Sequence, residues 1–227
     1  MPMIISHRGY AKEHPENTFA AFDAAFRAGA DGIETDVRIA GDGTLVVSHD
    51  PVKSSEGLIT LDELFEYIAQ KQDAPFFLEL KRPAPELLGA VIKHIDRLDA
   101  WERVHAIGFS NNLKTAVRSQ KDFPKLKVDQ ILKLPSWAYL KKPSPSHAVY
   151  IGWLDAVPYS EPLFKGLVPQ ERLKKLKERF ETQGFKVYGG VLNREDGIRY
   201  FQQAGISDIV TDEVVTAAAC LKPPQPF

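Results

Sequence analysis

The chain has 227 residues, of which 44% are hydrophobic, so it is long enough to bury a full core and lies near the lower end of the size range of a (β/α)8 barrel. Its 29 basic and 30 acidic residues nearly cancel, and a formal net charge of -1 gives no general attraction to nucleic acid or to anionic membranes. Any recognition of phosphate must therefore be local. The single cysteine, Cys220, excludes an intramolecular disulfide.

Neither a signal peptide nor a membrane span is expected from this sequence. The first motif contains His7, which is too early for a signal peptide to precede it, and no apolar run approaches the roughly 20 residues of a membrane helix. We therefore expect a cytoplasmic protein with no membrane span. The near-neutral charge leads us to expect a small-molecule partner and no nucleic acid.

Short apolar runs and amphipathic segments alternate along the whole sequence. Alternating strands and helices imply a parallel sheet with right-handed crossovers, and eight such units favour closure into a barrel. We therefore predict an α/β fold, a single (β/α)8 TIM barrel in which residues 1–227 form one domain. The eight predicted strands are residues 3–6, 32–37, 76–81, 104–109, 127–132, 148–153, 186–192 and 208–212.

The segments between the strands have the periodicity of helices. Phe19, Phe22 and Phe26 share one helix face, and Gly29 is placed to end that helix. The run Thr60-Leu61-Asp62-Glu63 predicts a capping box at the start of another. Further expected elements are helices from Pro85 to about Trp101 and from Pro169 to Gly184, a broken helix or irregular loop at 134–147 and an exposed tail at 222–227.

Charged residues lie at the ends of the first three predicted strands. Ser6-His7-Arg8-Gly9 ends the first strand, and its glycine lets the backbone turn before Pro15-Glu16-Asn17-Thr18 opens a helix. Glu34-Thr35-Asp36 lies on the second strand, and Glu79 and Lys81 lie on the third. Because active sites of such barrels form at the carboxyl ends of the strands, these residues predict one shared site.

The carboxylates in these motifs would crowd one rim of the barrel. Glu34 and Asp36 are two residues apart, so their side chains point to the same face, and Glu79 takes the equivalent position about 4.8 Å away on the next strand. Their repulsion would be relieved either by a hard divalent cation or by counter-charges from Arg8 and Lys81. The spacing alone leaves both interpretations open. No cysteine joins the cluster, which argues against a structural zinc site.

Two histidines are candidates for acid/base chemistry. His7 ends the first strand, and the turn Gly41-Asp42-Gly43 predicts a hairpin that returns His49 to the same rim. Two imidazoles that flank a phosphate can take a proton from an attacking hydroxyl and protonate the leaving oxygen. Arg8 offers a planar fork for phosphate oxygens, and Lys81 offers a point charge. Structural roles are expected for His94, His105 and His147.

The order of the motifs HRG, PENT, ETD, SHDP and LELK resembles the glycerophosphodiester phosphodiesterase family, most closely over residues 4–51 and 76–82. The resemblance implies hydrolysis of glycerophosphodiesters to an alcohol and glycerol phosphate on a (β/α)8 barrel. It also implies that His7 and His49 are the catalytic pair and that one divalent cation, Mg2+ or Ca2+, is bound by Glu34, Asp36 and Glu79.

The sequence departs from the family pattern in places that affect specificity. Many members carry a long insertion after the His-Asp-Pro motif that recognises the glycerol end, whereas only Val52 to Ile59 follows the motif here. Tyr188 stands where a tryptophan is expected, and Glu213-Val214 replaces a proline. None of these changes removes a candidate catalytic residue. The site is therefore expected to be open and to admit other head groups or lysophospholipids.

Two other functions fit the same residues. A sphingomyelinase D-like or lysophospholipase D-type phospholipase would share the histidines and carboxylates and would have little insertion. Trp137, Tyr139 and Trp153 are candidates for an apolar lip in such an enzyme, although core packing is the simpler role for each. A barrel that binds a phosphate-bearing ligand without turnover is disfavoured, because every candidate catalytic and metal position is filled.

Overall fold

The computed structural model describes residues 1–132, 147–153 and 157–222. The strands in these ranges are β1 (Ile4–His7), β2 (Gly32–Ile39), β3 (Leu45–Val47), β4 (Phe76–Leu80), β5 (Val104–Phe109), β6 (Lys127–Ile131), β7 (Ala148–Ile151), β8 (Lys186–Gly189) and β9 (Ile209–Thr211). The helices are α1 (Phe19–Arg27), α2 (Leu61–Gln70), α3 (Pro85–Arg97), α4 (Lys114–Ser119), α5 (Ser160–Leu167), α6 (Gln170–Thr182), α7 (Glu195–Gln203) and α8 (Val214–Leu221).

Eight strands form a closed parallel barrel. β1 pairs in parallel with β2 on one side and with β9 on the other, and the order around the barrel is β1-β2-β4-β5-β6-β7-β8-β9. β3 is antiparallel to β2 and forms the hairpin predicted from the turn at Gly41-Asp42-Gly43. The predicted (β/α)8 TIM barrel is therefore confirmed.

Side chains along each strand point alternately into the barrel and toward the helices, so the apolar core has an inner and an outer layer. Phe76 and Leu78 of β4 belong to the large apolar cluster between the barrel and its helices, whereas Phe77 packs inside the barrel with Tyr150 and Tyr188. The Tyr150 and Tyr188 rings stack with their centroids 4.8 Å apart. A residue two positions beyond an interior residue also faces inward, so the last inward-facing residues of each strand form the mouth of the barrel.

Several element ends were predicted correctly, and others are shifted. Thr60 and Glu63 form the predicted capping box, in which Glu63 N donates to Thr60 Oγ1 at 3.3 Å. Gly29 follows α1 with a φ of 99°. The helix expected to reach Trp101 ends at Arg97, because Asp99 takes a positive φ of 46°.

The expectations for residues 134–146 and for the tail beyond Lys222 lie outside the described residues. Lys222 itself ends α8, and its Nζ donates to the backbone oxygen of Gly29 at 2.9 Å. No helix formed by the described residues is long and apolar enough to cross a membrane.

Gly9 connects the first charged motif to α1 and tolerates no side chain. Its φ is 85°, and a Cβ at this position would lie 2.7 Å from the Cβ of Ala21. Gly43 in the hairpin turn has a similar φ of 88°, but a Cβ there would meet nothing within 4 Å. The two glycines therefore share the same backbone requirement and differ in packing.

We predict that Gly9→Ala lowers the free energy of unfolding more than Gly43→Ala, by about 1–3 kcal/mol, which is the usual cost of overpacking. The strain of a positive φ is common to both variants and cancels in the comparison. Urea denaturation of both variants measures the difference. Equal losses of stability would show that α1 moves away from Gly9 at no cost, and would contradict the packing argument.

Candidate active site

The predicted charged residues meet at the carboxyl ends of β1, β2 and β4. In the sheet register, His7 of β1 lies beside Glu34 of β2, and Asp36 of β2 lies beside Glu79 of β4. The chain leaves β1 with the backbone N–H of Arg8 still donating to the Glu34 carbonyl at 2.8 Å. The barrel register therefore places the three carboxylates and the first histidine on one rim.

The three carboxylates form a buried cluster with two cations. Oxygen atoms of Glu34, Asp36 and Glu79 lie within 4.8 Å of one another. Lys81 Nζ is 3.0 Å from Asp36 and 3.0 Å from Glu79, and Arg8 Nε is 3.1 Å from Asp36. The counter-charges considered from the sequence are thus in place, but two positive charges against three carboxylates leave one negative charge.

Of the three carboxylates, Glu34 is the one that neither Arg8 nor Lys81 contacts as an ion pair. Burial, followed by the charges of Asp36 and Glu79, raises the pKa of Glu34 well above its ordinary value. Burial also opposes ionisation of Asp36, but Lys81 and Arg8 hold its pKa below the ordinary value. Glu34 Oε2 is buried and accepts no hydrogen bond within the described part of the chain. A buried oxygen without a donor, in a cluster of three carboxylates, fits a hard divalent cation.

Asn17 contacts the carboxylate cluster directly. Its Nδ2 donates to Asp36 at 2.9 Å, and its Oδ1 accepts from the Thr35 hydroxyl at 2.7 Å. The helix cap is supplied by Thr18, which accepts from the Ala21 N–H. The sequence analysis placed Asn17 only in the segment that opens α1, and the buried hydrogen bond to Asp36 adds a contact with the carboxylate cluster.

His7 is oriented by a carboxylate that the sequence analysis did not single out. His7 Nδ1 lies 2.7 Å from Asp212 Oδ1, and Asn193 Nδ2 donates to the other carboxylate oxygen at 2.6 Å. Burial opposes ionisation of Asp212, but the hydrogen bond from His7 holds its pKa below the ordinary value. An ionised Asp212 accepts from Nδ1–H, which leaves Nε2 to face Glu34, 3.8 Å away.

His49 reaches the same rim through the hairpin. The backbone N–H of Ser48 donates to the Asp36 carbonyl at 3.1 Å, so the chain returns beside the carboxylate cluster. Arg38 holds the returning strand by donating from Nε to the Ser48 carbonyl at 3.0 Å. His49 Nδ1 lies 2.9 Å from Asp50, whose side chain is 83% exposed. The two histidines therefore differ, because the carboxylate partner of His7 is 39% exposed and that of His49 is 83% exposed.

A cavity of about 200 Å³ opens at this end of the barrel, and its lining has two unlike halves. The half formed by β1, β2, β4 and the hairpin is charged, and the half formed by β5 to β9 is apolar. The charged half consists of His7, Arg8, Glu34, His49, Glu79 and Lys81, and the apolar half consists of Ile107, Phe109, Ile131, Tyr150, Gly190, Val191 and Val210.

The remaining candidate residues that the structure describes lie away from the cavity. Trp153, considered for an apolar lip, is a core residue whose ring centroid lies 5.3 Å from that of Phe164. Trp137 and Tyr139 lie outside the described residues. His94 stacks on Phe65 at 4.6 Å, and His105 bonds to buried Asp129 at 2.6 Å. Both of these histidines are structural, as expected.

Comparisons with known proteins agree with this geometry. The model of the glycerophosphoryl diester phosphodiesterase family matches residues 7–66. A glycerophosphodiester phosphodiesterase of Caldanaerobacter subterraneus subsp. tengcongensis is 28% identical over 249 residues, which cover 94% of this chain and 95% of the relative. The matched range contains five of the seven candidate site residues, which lie at β1, on β2 and after the hairpin: His7, Arg8, Glu34, Asp36 and His49.

Solved structures show the same fold. A glycerophosphodiester phosphodiesterase of Agrobacterium tumefaciens superimposes with a TM-score of 0.71 at 24% identity, over 96% of this chain and 100% of that chain. A phosphodiesterase of Oleispira antarctica, in complex with the product sn-glycerol-3-phosphate, gives a TM-score of 0.73 at 19% identity over 98% of each chain.

Fold, site and relatives together define the chain as a phosphoric diester hydrolase built on a (β/α)8 barrel. This class excludes the alternative of a barrel that binds phosphate without turnover. In sequence, the chain is similar to the glycerophosphodiester phosphodiesterase family, by the family model over residues 7–66 and by the Caldanaerobacter relative over 94% of its length.

Asp212 provides a test of how His7 is oriented. Its two oxygens each accept from a different donor, His7 Nδ1 and Asn193 Nδ2. We predict that Asp212→Asn lowers kcat for bis-p-nitrophenyl phosphate by roughly 10-fold to 10³-fold. The amide has one acceptor oxygen, so it cannot accept hydrogen bonds from both His7 and Asn193 as the two carboxylate oxygens do.

Asp50→Asn is the matched control, because exposed Asp50 has His49 Nδ1 as its side-chain partner and water can replace that bond. Its effect on kcat should stay below about 10-fold. A larger loss in Asp50→Asn than in Asp212→Asn would contradict the assignment of Asp212 as the orienting residue.

Proposed function

We propose that the protein hydrolyses glycerophosphodiesters to an alcohol and glycerol phosphate, with one divalent cation and with His7 and His49 as the acid/base pair. The observation that carries the proposal is the convergence of three buried carboxylates, two cations and two histidines on one cavity. The substrate class is supported by the Caldanaerobacter relative, a glycerophosphodiester phosphodiesterase, and by the Oleispira enzyme, which holds sn-glycerol-3-phosphate.

Arg8 and Lys81 are proposed to bind the phosphate. Both line the cavity, and both remain cationic at neutral pH. Burial disfavours the charged form of Lys81, but Glu79 and Asp36 more than offset this and raise its pKa. Burial also disfavours the charged form of Arg8, but the charges of Asp36, Glu16 and Glu34 together outweigh it, and the pKa of Arg8 is raised. Two fixed positive charges suit the single negative charge of a phosphodiester.

Glu34, Asp36 and Glu79 are proposed to hold the cation, which the donor set restricts to a hard ion such as Mg2+ or Ca2+. When bound, the ion would neutralise charge on the phosphate and lower the cost of the negative charge that develops in the reaction. Asp36 is kept ionised by Lys81 and Arg8, and Glu34 is the ligand with most to gain, because its buried oxygen has no donor.

His7 is proposed as the base and His49 as the acid. Asp212 stabilises the imidazolium that forms when His7 Nε2 takes a proton from the attacking hydroxyl. In a glycerophosphodiester this hydroxyl belongs to the glycerol itself, so a P–O bond forms within the substrate as the P–O bond to the alcohol breaks. His49 gives its proton to the leaving oxygen. Water then opens the cyclic phosphate by the reverse proton transfers.

We predict that His7→Ala and His49→Ala each lower kcat for glycerophosphocholine by roughly 10²–10⁴-fold, the usual range for a lost general acid or base. Assays contain Mg2+ or Ca2+ at saturation. Circular dichroism should be unchanged, because both residues lie on the rim and outside the apolar core. His94→Ala is the control, since His94 packs on Phe65 away from the cavity. Near-normal kcat in either rim variant would exclude that histidine as an essential acid or base.

A further inference from the structure

Asn17 holds a threonine–aspartate pair on β2. Its Nδ2 donates to Asp36 Oδ2 at 2.9 Å, and its Oδ1 accepts from the Thr35 hydroxyl at 2.7 Å and from the backbone N–H of Asp36 at 3.4 Å. One amide therefore contacts both the backbone and the carboxylate of Asp36, which fixes the direction of that side chain. We call this set of three hydrogen bonds an asparagine clamp.

A second asparagine clamp lies at the end of β9. Asn193 Nδ2 donates to Asp212 Oδ2 at 2.6 Å, and its Oδ1 accepts from the Thr211 hydroxyl at 3.2 Å and from the backbone N–H of Asp212 at 2.8 Å. The same three bonds join the same three residue types, and in both clamps the asparagine precedes the aspartate by 19 residues. The two strands therefore share one way of fixing an aspartate.

The two clamped aspartates hold consecutive residues at the end of β1. β1 pairs with β2 on one side and with β9 on the other. His7 Nδ1 lies 2.7 Å from Asp212 Oδ1, and Arg8 Nε lies 3.1 Å from Asp36 Oδ2. The histidine and the arginine are thus held by carboxylates from opposite neighbours of β1, and each carboxylate has a clamp of its own.

The backbone around Arg8 is strained and depends on the first clamp. Arg8 has a φ of 58° and Asn17 a φ of 59°, both in the left-handed region that residues other than glycine rarely adopt. The backbone N–H of Asn17 donates to the Arg8 carbonyl at 2.9 Å. Strained conformations persist where the surrounding contacts determine them, and they concentrate at functional sites. Asn17 therefore supports the backbone of Arg8 directly and its side chain through Asp36.

We propose that the two asparagines are positioning residues with separate tasks. Asn193 aligns His7 for proton transfer, and it does so through the aspartate that it holds. Asn17 aligns Arg8 for binding of the phosphate in the same indirect way. Neither asparagine is among the residues that line the cavity. The inference rests on the proposed phosphodiesterase function and adds two residues to it.

The two tasks have different kinetic signatures. A misaligned base slows proton transfer, so it lowers kcat and leaves KM nearly unchanged when chemistry limits the rate. A misaligned guanidinium weakens a contact that the phosphate makes both before and during the reaction, so it raises KM and changes kcat less. An asparagine that only supports the fold would change kcat and KM in the same way at either position.

The test compares Asn17→Gly with Asn193→Gly, with glycerophosphocholine as the substrate at saturating Mg2+ or Ca2+. Glycine removes the amide at both positions and adopts the φ of 59° at position 17 without strain. Asn193→Gly should lower kcat at least about 10-fold and change KM less than about 3-fold. Asn17→Gly should raise KM at least about 10-fold and change kcat less than about 3-fold.

Calorimetry with sn-glycerol-3-phosphate and the same cation gives a readout besides turnover. Asn17→Gly should weaken binding at least about 10-fold, and Asn193→Gly should stay within about 3-fold of the wild type. Asn111→Gly is the matched control, because Asn111 is exposed in the loop after β5 at the same end of the barrel, and its values should equal those of the wild type.

Isosteric variants replace any glycine variant that fails to fold. Asn17→Asp and Asn193→Asp keep the size of the side chain and remove its Nδ2 donor, so they should divide between KM and kcat as the glycine variants do.

The outcomes separate the inference from the function on which it rests. If the wild type hydrolyses glycerophosphocholine and both asparagine variants change kcat and KM alike, the separate tasks are overturned and the phosphodiesterase function stands. Wild-type kinetics in either variant would overturn the task of that asparagine. A folded, metal-loaded wild type that hydrolyses no glycerophosphodiester would overturn the proposed function and the task of Asn193 with it. The calorimetric comparison would then decide the task of Asn17.

Discussion

The buried carboxylate of Asp36 is the constraint on which the mouth of the barrel depends. It is held by Asn17 at 2.9 Å, by Lys81 at 3.0 Å and by Arg8 at 3.1 Å, three residues from different segments of the chain. An unpaired buried carboxylate would be costly, so these contacts must form together when the barrel closes. These contacts fix Arg8 and Lys81 beside the other carboxylates. The buried Oε2 atom of Glu34 is left without a hydrogen-bond donor.

The alternation of side chains along barrel strands explains why one cavity has two characters. Glu79 follows inward-facing Phe77 by two positions, and Phe109 follows Ile107 in the same way. In the sheet register Glu79 lies beside Ile107, so a charged and an apolar side chain occupy the same level on neighbouring strands. Strands β1, β2 and β4 place charged side chains at the mouth, and β5, β6 and β7 place Phe109, Ile131 and Tyr150 there. β9 contributes both apolar Val210 and, directly after its end, the carboxylate of Asp212. One cavity therefore presents a charged wall and an apolar wall.

Much of the fold and of the charged half could be predicted from sequence, because polar residues that interrupt apolar runs mark strand ends. The hairpin followed from Gly41-Asp42-Gly43. The bond between His7 and Asp212 joins residues 205 positions apart, and only the pairing of β1 with β9 brings them together. The apolar half of the cavity could not be predicted from sequence either. Ile131 and its neighbours have the sequence pattern of core residues, and only the closed barrel shows that they line a cavity.

The central claim is that Glu34, Asp36 and Glu79 hold one divalent cation within this network of cations and histidines. It is tested most directly by anomalous diffraction at the manganese edge from a crystal soaked with Mn2+, a hard ion that takes the same oxygen ligands. The account predicts one strong peak at the cluster, about 2.0–2.6 Å from an oxygen of each carboxylate. An unoccupied cluster, with Lys81 and Arg8 still bridging the carboxylates at saturating Mn2+, would contradict it.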